Sequence, residues 1–218
     1  MTDAALERLR AEAARDDYGS MVRLARGLYA TGFGPRQVLR TCYGADFPEE
    51  VFVLAEGGLW RPDLLARFTN QPWQLAVPPE HDGTQETPSS LVRTELRLLS
   101  EDPDLLPLLR ITAAAPGKDD RIICYRLGEL RAGRSTVFRL FGRGSARDAL
   151  ACGDGVLDVL VAEHATYVRA LERQRDDPSN WGAGSVDDLE VEEARESLEA
   201  VRELRRQAGL RAAARRED

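Results

Sequence analysis

One lysine, two histidines and three cysteines are all that this 218-residue chain holds of those side chains, and each scarcity removes a class of function. Cys42, Cys124 and Cys152 leave one cysteine unpaired and form no CxxC spacing, which argues against both a disulfide framework and a structural zinc site. Positive charge is not in surplus either. Lys and Arg total 30 against 37 Asp and Glu, a net charge of −7, so no general nucleic-acid or anionic-membrane surface is expected. There is no long hydrophobic run and no leader-like segment, which predicts a soluble, cytoplasmic protein. Complete GxxxxGK[ST], GxGxxG, GxSxG and HExxH motifs, EF-hand loops and kinase signatures are all missing, so no cofactor or metal is expected.

What remains is an ordinary globular composition, 43% hydrophobic and 31% charged, in a chain long enough to bury a sizeable core. The first third reads as helices. Thr2 caps an apolar stripe through residue 15, and Met21, Leu24, Ala25 and Leu28 form a second stripe over 18–29. Pro35 opens a helix that Gly44 closes. Pro48 opens another, with Glu49 and Glu50 at the positive end of its dipole and Val51, Phe52, Val53 and Leu54 behind them. That helix is apolar nearly all round, which predicts deep burial.

Prolines break up residues 60–90, and 78–90 is polar throughout, an expected exposed loop. A helix then runs to Leu99, with Leu91, Leu96 and Leu99 predicted inward. Three runs rich in leucine, isoleucine, valine and aromatics follow, at 105–112, 121–127 and 135–141, separated by turn residues. They predict an antiparallel meander. A helix over 155–173 covers the sheet. Helices, then sheet, then a covering helix is an α+β order.

The last segment is distinct. Residues 176–185 read as a linker, with Ser185 and Asp188 suggesting a capping box, and 186–218 as one long helix. Residues 176–201 hold nine acids and one arginine, whereas 202–218 hold six arginines and three acids, a polarity that complements the helix dipole. Val191, Ala194, Leu198 and Val201 form a short 3-4 stripe that can pack on its own domain or meet a second copy. The expected organisation is thus a domain at 1–175, a linker at 176–185 and a C-terminal helix at 186–218.

Candidate chemistry is thin. His81, between Glu80 and Asp82, reads as a solvated loop histidine, and His164 as a satisfied histidine on the apolar side of a helix. Cys124, inside Ile122–Tyr125, reads as core, and Cys152, in a turn, as the most reactive thiol. Gly142-Arg143-Gly144-Ser145 reads as a turn and not a phosphate cradle. Trp60, Trp73 and Trp181 lie in proline- or glycine-rich segments, as partner-contacting residues or as plugs at the ends of the core.

Residues 43–58 (YGADFPEEVFVLAEGG) resemble the opening of the SUKH superfamily, which includes a yeast cell-wall assembly regulator and many bacterial immunity proteins. Asp119–Leu127 and Thr136–Phe141 resemble its central strands, and Val156–Leu171 its closing helix. The usual Asn before Gly-Gly is Glu56 here, and 176–218 has no counterpart. The resemblance implies a non-catalytic α+β binding module, an antitoxin-like immunity protein with a protein partner. The alternatives are a self-associating structural or regulatory protein, dimeric through its C-terminal helix, and an enzyme with a site near the 78–90 or 142–155 loops.

Overall fold

Polar caps set the ends of the N-terminal helices. In the computed structural model, which describes residues 2–57, 64–79, 87–111, 120–141, 144–177 and 186–217, the Thr2 hydroxyl accepts from the Ala5 amide to start α1 (Asp3–Glu12). Asp17 accepts from Ser20 N to start α2 (Tyr18–Tyr29). Pro35 occupies the first turn of α3 (Pro35–Tyr43), and Gly44, at φ +62°, takes the left-handed conformation that ends it. The all-round apolar helix α4 (Glu49–Gly57) is buried along Val51–Leu54, as its sequence predicts.

The sheet has five antiparallel strands in chain order: β1 (Ala66–Phe68), β2 (Leu105–Ile111), β3 (Arg121–Arg126), β4 (Val137–Phe141) and β5 (Leu150–Gly153). The central three are the expected meander. The outer two were not expected from sequence, since β1 is a three-residue Ala-Arg-Phe piece and β5 reads Leu-Ala-Cys-Gly with no alternation. Two short helices, α5 (Trp73–Ala76) and α7 (Leu127–Arg131), are also too brief to show a period.

Between β1 and β2, α6 (Ser89–Glu101) lies on one sheet face, where Leu91 and Leu98 meet Leu105, Ile122, Cys124 and Leu140. Its inward residues are Leu91, Glu95, Leu98 and Leu99; Leu91 and Leu99 are inward as expected, whereas Leu96, also expected inward, is 39% exposed. The correct row keeps the 3.6-residue period but runs through a carboxylate, which an apolar template passes over. The other sheet face, carrying Leu106, Ile123, Tyr125 and Val137, packs on α4, on the N-terminal helices and on α8 (Val156–Asp176).

The C-terminal helix α9 (Asp188–Glu217) belongs to the same core. Val191, Ala194 and Leu198 pack on Val168 and Leu171 of α8, while Val201, Leu204 and Ala208 join the main cluster. A Cβ on Gly57 would stand 3.2 Å from Leu204, so α4 and α9 meet closely there. The apolar stripe is therefore consumed within the chain, and a dimer through it would have to displace α9. The capping box that starts α9 is Asp187 with Glu190, each accepting from the other's amide, at 2.8 and 3.2 Å. The late arginines do more than complement the dipole: Arg205 pairs with Asp158, Arg211 with Glu56 and Arg215 with Glu49. Among the described residues, no helix is long and apolar enough to cross a membrane.

Candidate interaction surface

Of the two roles open to the tryptophans, Trp73 takes the core plug, which corrects its place among the partner-contacting residues. It is fully buried, edge-on to Phe68 with ring centroids 4.9 Å apart, and its indole N–H donates to the Leu108 carbonyl at 2.6 Å. That carbonyl lies at an irregularity of β2 between Pro107 and Leu109, and it also accepts from Thr69 N at 3.0 Å and Thr69 Oγ1 at 2.8 Å. Trp73 is thus a core plug in the sheet. Trp60 and Trp181 lie outside the described residues, as do His81 and most of the expected 78–90 loop.

Three buried carboxylates were missed: Glu49 is paired with Arg36 and Arg215, and the other two are spent on backbone. Glu50 reaches from α4 to the N-terminus of α8, where Oε1 accepts from Val156 N at 2.8 Å and Oε2 from Leu157 N at 3.0 Å. The Tyr125 hydroxyl donates to Oε1 as well. Helix α8 has no side-chain cap of its own at Gly155, so Glu50 supplies one from a distance. Burial raises its pKa, while Tyr125 and the two amides oppose the rise.

Glu95 on α6 accepts from Asn70 N at 3.2 Å and Gln71 N at 3.1 Å, and so holds the turn after β1. Gln71 in turn donates to the Arg15 carbonyl and accepts from the Tyr43 hydroxyl, tying the N-terminal helices to the same turn. Burial lifts the Glu95 carboxyl to about 7, against the pull of both amides and Arg15. A charged residue in phase with Leu91 and Leu98 was the available signal for it; Glu50 showed itself only as an acid opening an all-apolar helix.

The thiols are not activated. Burial pushes Cys42 up to about 12 and raises Cys124 and Cys152 as well, with Arg139 and Arg121 only partly opposing at Cys152. His164 is 1% exposed, and its Nε2 accepts from Leu65 N at 3.3 Å, the satisfied core histidine that its position predicts. Among the described residues, no three His, Cys, Asp or Glu are grouped to hold a metal ion. Gly144 N donates to the Phe141 carbonyl at 2.7 Å, and Ser145 caps a 3-10 turn at Ala146–Asp148, so the described part of the 142–145 segment is turn structure.

The unusual surface is one corner of the sheet. Helix α8 crosses its face at a slant: Val159 lies 3.3 Å from where a Cβ of Gly153 would stand, Glu163 binds Arg121 through two oxygens at 2.5 and 2.6 Å, and His164 reaches Leu65. The strand register places Phe141 opposite Arg121, Arg139 opposite Ile123, and Leu150 opposite Arg139, so these side chains share the α8 face. The slant leaves the end of β4 and the start of β5 uncovered. Phe141 is 59% and Leu150 62% exposed, with Arg139 exposed between them. No protein-family profile, curated protein or solved structure matches the chain.

Proposed function

We propose that the chain is a non-catalytic protein-interaction module that binds its partner through the β4–β5 corner and serves as an immunity protein neutralising a bacterial toxin. The carrying observation is the exposure of Phe141 and Leu150 side by side around Arg139, an aromatic-aliphatic-arginine group of the kind that anchors protein interfaces. Support also comes from the buried ionisable groups. Glu50 and Glu95 are held by backbone amides inside the core, which suits structural carboxylates better than acids or bases that meet a substrate. The toxin-directed part of the reading rests on the resemblance of residues 43–58 and the central strands to the SUKH superfamily.

The test is affinity capture of the tagged full chain from the lysate of its own source, then reassembly from purified components. The expected result is a stoichiometric complex with one foreign protein that is toxic when produced alone and harmless when produced with this chain. Recovery of the chain by itself, at every salt concentration, contradicts the reading.

A further inference from the structure

The stretch of sequence that carries the corner is richer in arginine than the chain: residues 137–153 hold three arginines and one acid, Asp148, in a chain of net charge −7. In space, Glu101 also reaches this stretch, its carboxylate accepting from Ala146 N at 2.8 Å, and Glu163 is taken up by Arg121. Asp148 is already engaged, its carboxylate accepting from Ser145 N at 2.9 Å. The arginines elsewhere on the surface are mostly paired: Arg40 with Asp46, Arg126 with Asp102, Arg134 with Glu129, and Arg195 with Glu172. Arg139 and Arg147 are exposed and have no ion pair among the described residues, as do Arg8, Arg67, Arg93, Arg173 and Arg216; what sets Arg139 apart is its place between Phe141 and Leu150.

An exposed guanidinium set between an aromatic and an aliphatic side chain selects by charge and by shape together. A carboxylate meeting Arg139 gains a forked pair of hydrogen bonds, and the flanking Phe141 and Leu150 keep water from it. A basic segment would instead meet like charge, which costs encounter rate and affinity. Isologous pairing of two copies through this corner would also bring Arg139 toward its own counterpart. Both ends of the sheet are poor templates for strand addition, since β1 has three residues and β5 has four with a register irregularity, so side chains must carry the recognition.

We infer that the corner formed by Arg139, Phe141 and Leu150 docks an acidic segment of a foreign protein, a carboxylate on Arg139 and an apolar side chain against Phe141 and Leu150. This rests on the interaction-module reading and gives it a partner chemistry. A partner docked here is the reverse of the basic protein that the chain's overall acidity would suggest.

The probe is benzoylphenylalanine placed at Phe141 of the full chain, irradiated in the lysate of its source, with adducts mapped by mass spectrometry. The expected adduct is a foreign peptide of net negative charge, reduced at least tenfold when Arg139→Glu is added and reduced less by Arg139→Lys, which keeps the charge and loses the fork. An adduct with a basic peptide overturns the inference, as does one with α9 of a second copy, whose exposed Leu189 and acids are the chain's own imitation of such a partner. Capture of a stoichiometric foreign protein with no adduct at 141 also overturns it while leaving the interaction-module reading standing. Absence of any captured protein removes both.

Discussion

The carboxylate of Glu50 lies 2.9 Å from the place where a Cβ of Gly155 would stand. Helix α8 therefore begins on a residue without a side chain because its cap arrives from α4, 105 positions earlier in the chain. The contact joins the apolar helix of the first third to the helix that covers the sheet. Replacing Glu50 by Ala leaves two amides and the Tyr125 hydroxyl without an acceptor, an expected loss of about 3 kcal/mol in denaturant unfolding. Gly155→Ala is expected to cost more than 1 kcal/mol by displacing that carboxylate. The two losses should not add. A double variant as unstable as the sum of the singles would contradict the cap.

Trp73 is read as a core plug, and Trp73→Phe tests it. The change removes the hydrogen bond to the Leu108 carbonyl and part of the ring's volume, an expected loss of about 1–3 kcal/mol with partner affinity unchanged. Weakened binding at unchanged stability would return Trp73 to the surface role that its sequence context suggested.

The turn held by Glu95 should respond to pH. An acid whose pKa is higher in the folded chain than in the unfolded chain binds more protons when folded, so its contribution is full below the ordinary value of 4.5 and declines as pH rises through about 7. Relative to Glu95→Gln, the wild-type chain should lose about 3 kcal/mol of stability between pH 4.5 and pH 8. Parallel stability profiles for the two proteins would show that Glu95 titrates normally.

Helix α9 is held by its apolar stripe more than by its ion pairs. Leu204, buried against α4, should cost about 2–4 kcal/mol on conversion to Ala. Arg211, whose pair with Glu56 is open to water on both sides, should cost less than about 1 kcal/mol on the same change. Equal losses at the two positions would refute the ranking.

The parts of this fold that show in the sequence are those with a helical period or an unbroken apolar run between cap and turn residues. Helices α1 to α3, α6, α8 and α9 carry a period, α4 and the strands β2 to β4 show as apolar runs, and the α+β order followed from them. The parts that do not show depend on contacts distant in sequence. Glu50 and Glu95 are polar residues in apolar rows, and their partners lie 106 and 25 positions away. Strand β5 is recognisable only once β4 is beside it, and Phe141 reads as one more strand residue until the slant of α8 leaves it bare. Trp73 misled because proline-rich surroundings resemble a surface loop, whereas here Pro72 begins a helical turn inside the core.

The most direct test of the account is the affinity of the captured partner for the wild-type chain and for the variant Phe141→Ser/Leu150→Ser, measured by calorimetry beside thermal unfolding of both. The side chains at 141 and 150 are 59% and 62% exposed, so the variant should unfold within a few degrees of wild type while binding at least 100-fold more weakly. Undiminished affinity in a normally folded variant would show that the corner is not the binding face.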